Sequence, residues 1–283
     1  MRLSPVLRAG ALVATLALAV TACGGKSQQA AGGSDSLVDR AKADNKLTVG
    51  IKFDQPGLGL KTGDGYTGFD VDVAKYIAKK LGVDEKNIVF KQAPSAQRED
   101  LIAQGDVDLV IATYTINDKR KQKVSFAGPY FVAGQDLLVK TENTDITGPE
   151  TLNGKKLCSV TGSTSAQNIQ TKFANKVALQ QYGGYSECVT GLLNGAIDAL
   201  STDDIILQGY ANADANKGKL KVVGKPFSNE PYGIGLKKGD TKTQQALDGY
   251  IQEMEKDGSW SAALKKNFGD SYKVPAEPPI TEK

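Results

Sequence analysis

An α/β chain of two similar lobes, each a mostly parallel sheet flanked by helices, is predicted by three observations. Short apolar strands alternate with amphipathic helices in a β-α-β-α-β order, which calls for parallel strands with helices on the sheet faces. The same order recurs in the second half of the chain. Two segments, Ile102-Ala-Gln-Gly-Asp-Val-Asp-Leu-Val-Ile111 and Leu192-Leu-Asn-Gly-Ala-Ile-Asp-Ala-Leu-Ser201, also share one pattern. Each reads as a helix end, a glycine, an aspartate and a buried strand, although any helix–glycine–strand unit can look alike by chance.

Taken in order, Leu47 to Phe53 reads as a strand and Asp54 to Gly68 as a glycine-rich loop. Asp70 to Leu81 places Val73, Ala74, Ile77, Ala78 and Leu81 on one helical face, closed by Gly82. Ile88 to Lys91 is a short strand, Ser95 caps a helix ending at Gly105, and Asp108 to Thr113 is a buried strand. In the second half, strands fall at Lys156–Val160, Val177–Gln180 and Asp198–Thr202, with helices at Thr164–Ala174 and Glu187–Asn194. Asp136–Lys140 and Tyr232–Lys237 are the expected crossovers between lobes. Gln244 to Phe268 is helical, with Trp260 and Leu264 packing back on the first lobe. The Pro-rich stretch from Val274 is expected to fray.

The amino terminus predicts a location. Arg2 and Arg8 precede an apolar run from Ala9 to Val20, too short to span a bilayer as a mature helix, which is the pattern of a secretory signal. Val20-Thr21-Ala22-Cys23 resembles a bacterial lipobox, in which the cysteine becomes the lipidated first residue. Gly24 to Ser36 is rich in Gly, Ser, Gln and Ala, the composition of a flexible tether. The expected mature protein therefore starts at Cys23 and hangs from the outer face of a membrane.

Composition then removes several classes of function. Without residues 1–22, 261 of the 283 residues remain, enough for two lobes with their own cores. The 35 basic and 32 acidic residues become 33 and 32, so no nucleic-acid footprint is expected. The chain has no histidine, which removes the commonest general base, the Ser-His-Asp triad and most zinc chemistry. No metal and no cofactor is expected. Cys158 and Cys188 are left as an even pair outside the cytoplasm, read as a disulfide, with two buried free thiols as the alternative.

Ligands of open α/β sheets sit beyond the carboxyl ends of the strands. Three such ends are polar: Lys52-Phe53-Asp54, Thr113-Tyr114-Thr115 and Thr202-Asp203-Asp204. Gly162-Ser163-Thr164-Ser165 opens a helix and suits a carboxylate or phosphate, or serves as a plain N-cap. Arg98 lies in a first helical turn, where a cation opposes the helix dipole, unless Glu99 and Asp100 simply offset a solvated arginine. In the basic cluster Lys119, Arg120, Lys121 and Lys123, only Arg120 offers a planar fork for a carboxylate; such clusters are otherwise solvated faces. Gly63-Asp-Gly-Tyr-Thr-Gly68 fits a dinucleotide motif, but the strand before it ends too early for that turn. Asp203 and Asp204 are adjacent and point apart, which argues against a catalytic pair.

Four segments together carry a resemblance: Gly68-Phe-Asp-Val-Asp-Val-Ala74, Asp108-Leu-Val-Ile-Ala-Thr-Tyr-Thr-Ile-Asn-Asp-Lys-Arg120, Phe126-Ala-Gly-Pro-Tyr130 and Gly162-Ser-Thr164. Over residues 45 to 270 the chain resembles family 3, the polar amino-acid group, of the extracellular solute-binding proteins that feed ABC importers. The Cys158/Cys188 pair and Phe53-Asp-Gln-Pro-Gly-Leu-Gly-Leu-Lys61 are most similar to the glutamate-binding lipoproteins of Gram-positive bacteria. The resemblance implies a type II periplasmic-binding-protein-like fold with two hinge crossovers. Its expected parts are a lipoprotein signal peptide (1–22), a tether (23–45), lobe 1 (46–139 and 229–270), lobe 2 (140–228) and a flexible tail (271–283).

It also implies roles. Thr113, Thr115 and Arg120 match residues that hold a ligand's α-carboxylate; Ser163 and Thr164 match further donors from the second lobe; Asp203 matches the acid that takes the α-ammonium. Lys52 and Arg98 fall where glutamate and aspartate binders place cations for the side-chain carboxylate, with Lys52 standing for an arginine. Tyr185 falls where some of those binders carry a histidine. The implied function is capture of an acidic amino acid, L-glutamate first, with glutamine, aspartate or another polar amino acid as alternatives. The expected partners are that ligand, an ABC permease and the membrane, for a monomeric protein. The rivals are a small-molecule dehydratase on the same fold, in which Asp203, Asp204 or Glu230 would have to serve as acid or base, and a ligand-sensing subunit that docks on a receptor.

Overall fold

The computed structural model describes residues 36–173 and 176–282. The expected signal peptide, the lipid-bearing Cys23 and the tether as far as residue 35 lie outside the described residues. The last part of the stretch expected to be tether is instead a helix, α1 (Leu37–Asp44). Leu37 and Ala41 recur at helical spacing and are buried, and Ser36 Oγ and Leu37 N–H both donate to Asp240 at 2.8 Å.

The first lobe begins with β1 (Leu47–Ile51). The expected glycine-rich loop is then a small antiparallel sheet of β2 (Asp54–Gln55), β3 (Gly59–Thr62) and β4 (Gly65–Thr67). Its alternation was hidden by glycines, and one of them is required: a Cβ on Gly68 (φ 125°) would lie 2.0 Å from Leu58 O. Helix α2 (Phe69–Lys80) buries Val73, Ala74, Ile77 and Ala78 as its periodicity predicts. Then come β5 (Ile88–Gln92), α3 (Arg98–Ala103), β6 (Leu109–Val110), α4 (Asp118–Lys121) and β7 (Ser125–Ala133).

Strand β8 (Gln135–Lys140) belongs to the second sheet. The chain therefore leaves the first sheet at Gly134, not at the boundary expected near 140. The second lobe continues with β9 (Lys156–Val160), α5 (Thr164–Phe173), β10 (Ala178–Tyr182), α6 (Tyr185–Asn194), β11 (Ala199–Asp203), α7 (Asp204–Asn212) and β12 (Leu220–Val222). The chain returns through β13 (Glu230–Leu236) in the first sheet, followed by α8 (Thr241–Lys256) and α9 (Ser259–Phe268). The single helix expected over 244–268 is broken at Gly258, whose φ of 79° a continuous helix cannot hold.

The two large sheets have matching orders, β5-β1-β6-β13-β7 and β10-β9-β11-β8-β12. In each, the first three strands are parallel and the fourth is reversed. The reversed strands β8 and β13 are the two that arrive from the other lobe. Antiparallel entry needs no crossover helix, so two short connections join the lobes.

Trp260 is buried with its Nε1 donating to Tyr130 O at 2.8 Å, and Leu264 is fully buried beside it in the core, so α9 packs on the first lobe as its spacing predicts. The tail expected to fray is tied down: the N–H groups of Thr281 and Glu282 donate to Gly128 O at 3.0 and 3.2 Å, and Val274 and Ile280 pack on the core. Apolar side chains spaced along a Pro-rich stretch gave it a surface to bury. In the second lobe Cys158 of β9 is bonded to Cys188 of α6, with Cα atoms 5.6 Å apart.

Candidate functional site

The residues singled out from the sequence for ligand contact lie at or just beyond the carboxyl ends of strands in both sheets, and hydrogen bonds run between the two lobes among them and their neighbours. Lys52 follows β1 and is buried, its Nζ donating to Ser95 Oγ at 2.7 Å. Ser95 is thus not the expected helix cap; Gln97 occupies that position of the six-residue helix α3, and the Ser95 hydroxyl faces the cleft cation instead. Arg98, which opens α3, is 2% exposed, so it is not a solvated arginine. Its Nε donates to Ser95 O and its Nη1 to the carbonyls of Ala112 and Thr113 at 3.0 and 3.2 Å. Lys52 and Arg98 therefore converge on Ser95. Burial, and then the Arg98 charge, hold the Lys52 ammonium well below the usual lysine range.

The segment after β6 supplies the next groups. Thr113 has a left-handed backbone (φ 46°), a conformation uncommon for a non-glycine residue. It is held by Asp70, whose carboxylate accepts the Thr113 N–H at 3.0 Å and the Tyr130 hydroxyl at 2.8 Å. Burial pushes the Asp70 carboxyl up to about 6. Thr113 Oγ1 donates to Ala112 O at 2.8 Å. Arg120 in α4 is buried, donates from Nη1 to Thr115 O at 2.7 Å and reaches across to Gly162 O of the second lobe at 3.2 Å. Its Nε lies 3.5 Å from Glu99. Burial, then Arg98, lowers its guanidinium to about 10. The buried Tyr114 ring packs against both guanidinium groups, with Cζ of Arg98 at 4.2 Å and of Arg120 at 5.0 Å from its centroid.

The second lobe answers with hydroxyls and one acid. Ser163 Oγ accepts the Ala166 N–H at 2.9 Å, so this side chain caps α5. Thr164 Oγ1 donates to Glu230 at 2.8 Å. Tyr185 is buried at the start of α6, with its hydroxyl pushed up to about 12 by burial and by Asp203. Asp203 ends β11 and accepts Tyr232 OH at 2.6 Å and Ser165 Oγ at 3.3 Å. Burial, then neighbouring Glu230, pushes its carboxyl up to about 7. Three buried basic side chains of the first lobe and one buried acid of the second thus lie at strand ends beside the contacts between the lobes.

The lobes touch on both flanks of these groups. Asp54 accepts Ser186 N–H at 3.2 Å and Tyr210 OH, and a Cβ on Gly162 would meet Ala96 Cα at 2.6 Å. A chamber of about 410 Å³ opens beside Lys52, Asp54 and Tyr185, and another of about 200 Å³ beside Arg120 and Gly162. Among the described residues, no group of His, Cys, Asp and Glu is disposed to hold a metal ion.

Sequence reasoning gave no ligand contact to Asp70, Tyr130, Tyr232 or Ser165, although Ser165 lies in the helix-opening segment, and it gave Glu230 a part only in the dehydratase alternative. Asp70 did leave a signal, since it shares the apolar face of α2 with Val73, Ala74 and Ile77, where an unpaired carboxylate is costly. Tyr130 and Tyr232 come from strands distant in sequence and left none.

A chain with this fold and cleft has known relatives. It is 41% identical over 283 aligned residues to a glutamate-binding protein of Corynebacterium efficiens, covering 96% of this chain and 93% of that one. It is 39% identical over 253 residues to the glutamine-binding protein of an ABC transporter of Bacillus subtilis, covering 87% and 91%. The solved structure of an ancestral arginine-binding protein bound to glutamine superposes with a TM-score of 0.73 at 37% identity, covering 80% of this chain and 98% of that one. Residues 47–270 match the profile of the bacterial extracellular solute-binding proteins, family 3, and the chain belongs to that family.

Proposed function

We propose that the protein captures an acidic α-amino acid, L-glutamate, outside the cytoplasm and delivers it to an ABC permease by closing its lobes. The observation that carries this reading is that Lys52, Arg98 and Arg120 on one lobe and Asp203 on the other are all buried, with Arg120 and Asp203 each hydrogen-bonded across to the other lobe. Arg120, with Thr113 and Thr115, takes the α-carboxylate, Ser163 and Thr164 add donors, and Asp203 takes the α-ammonium. Lys52 and Arg98 receive the side-chain carboxylate, with Tyr185 against it. A neutral amide leaves those two cations poorly paired, so glutamine binds more weakly.

Closure follows from differential affinity, since the contacts to Asp203 and Thr164 exist only when the lobes meet. The hinges are Gly134 and the segment between β12 and β13. Nothing in this scheme breaks a covalent bond in the ligand, and both named relatives are binding proteins. A lipid on Cys23 anchors the protein at the membrane; Cys23→Ala is expected to end fatty-acid labelling while leaving ligand affinity intact.

Calorimetry with a panel of amino acids tests the reading. Glutamate is expected to bind most tightly. The second reading, a glutamine binder, is favoured by the Bacillus subtilis relative. Tighter binding of glutamine at neutral pH selects it, and no binding of any amino acid removes both.

A further inference from the structure

We propose that Glu230 is the second carboxylate of the ammonium site, set against Asp203 from the opposite lobe, and that the pair makes the protein select ligands carrying an α-ammonium. This rests on the amino-acid reading above. Glu230 opens β13, the strand that returns to the first sheet, and is 3% exposed. Its Oε2 accepts Thr164 Oγ1–H from the second lobe at 2.8 Å, and its Oε1 accepts Ser228 Oγ–H at 2.7 Å. Ser228 Oγ in turn accepts the N–H of Gln135, the first residue of β8, at 2.9 Å. Glu230 is therefore fixed to both crossings between the lobes.

The neighbouring bonds bring Asp203 alongside. Two residues along β13, and so on the same strand face, Tyr232 donates to Asp203 Oδ2 at 2.6 Å. Next to Thr164, Ser165 donates to Asp203 Oδ1 at 3.3 Å. One pair of adjacent residues in α5 and one same-face pair in β13 thus hold the two carboxylates side by side. Like charges at one buried site repel, and these come from different lobes. Closing an empty cleft, or one filled by a ligand without a cation, presses them together. An ammonium between them turns that repulsion into two attractions. Glu230 also lies near Arg120. As a mere counter-ion of Arg120, it would affect every carboxylate ligand alike.

The test separates these roles with two dicarboxylates of the same length, L-glutamate and glutarate, which lacks the ammonium. Calorimetry on the parent, Glu230→Gln and Glu230→Met measures the ratio of the two affinities; the second variant supplies a different uncharged side chain should the first not fold. Both variants are expected to narrow the preference for glutamate over glutarate by about tenfold or more, because glutamate loses affinity while glutarate holds or gains. A ratio that stays within about threefold of the parent's, whatever the absolute affinities do, overturns the role of Glu230. A parent that binds no amino acid overturns the reading beneath it instead.

Discussion

The two lobes share a sheet order and a strand sense but carry different side chains at their strand ends. The first lobe's basic groups are held mostly by their own lobe: Arg98 by the carbonyls of Ser95, Ala112 and Thr113, Lys52 by Ser95, and Arg120 by that of Thr115, with a further bond from Arg120 across to Gly162 O. The second lobe's groups lean across the cleft, with Thr164 bonded to Glu230 and Asp203 to Tyr232, both from β13. The first lobe's basic groups are thus set largely before the lobes meet, whereas Thr164 and Asp203 each take a partner from the other lobe. One sheet order, used twice, thus presents two different sets of groups, because the side chains at its strand ends differ.

The sharpest way to break this contrast is to remove one charge from each side. Arg120→Ala and Asp203→Ala are each expected to weaken glutamate binding by about 2–5 kcal/mol, since the first leaves the buried α-carboxylate without its guanidinium and the second leaves the ammonium with Glu230 alone. Near-parental binding by both variants in calorimetry ends the assignment of opposite charges to opposite lobes.

A pH series sharpens it on the second lobe. The folded Asp203 carboxyl sits near 7 against an ordinary 3.8, so between these values the native state holds a proton that the unfolded chain has released. Its contribution to stability therefore falls as pH rises through that window and is lowest above about 7. Asp203→Asn, which never ionises, is expected to gain stability on the parent from pH 4 to pH 8, by up to about 4 kcal/mol. Denaturant melts of ligand-free protein at both ends check this; a difference that shrinks with rising pH contradicts it.

The disulfide also separates the lobes, joining β9 to α6 inside the second lobe across 30 residues. Reducing it, or making Cys158→Ser with Cys188→Ser, is expected to lower stability by about 3–4 kcal/mol. Fragments protected from proteolysis should then come from the first lobe. Equal loss of protection in both lobes shows instead that they melt as one unit.

A smaller effect probes the first lobe's cation pair. Arg98→Met is expected to narrow the preference for glutamate over glutamine to near parity, because Lys52 remains while its neighbour's charge is gone. The ratio of the two affinities is the measurement. An unchanged ratio assigns Arg98 to holding Ser95, Ala112 and Thr113 in place, with no part in reading the side chain.

Much of this was legible in the sequence because it is local. The helix over Phe69–Lys80 and the strand Lys156–Val160 follow from residue periodicity, and the polar strand ends at Lys52, Thr113 and Asp203 follow from where a strand must stop. What stayed hidden was set by distant partners. The β2–β4 sheet pairs residues that look like a loop. The tail is ordered by Gly128, far upstream. Gly134, not residue 140, marks the first crossing because β8 pairs with β11, some sixty residues further on. Asp70 and Glu230 meet Thr113 and Thr164, and those contacts exist only in the folded chain.

A crystal structure of the protein grown with L-glutamate measures the central claim directly. The expected density has the α-carboxylate against Arg120, the α-ammonium against Asp203 and the side-chain carboxylate between Lys52 and Arg98. A glutamate lying outside the cleft, or one whose ammonium points toward the first lobe's cations, contradicts the division of charge between the lobes.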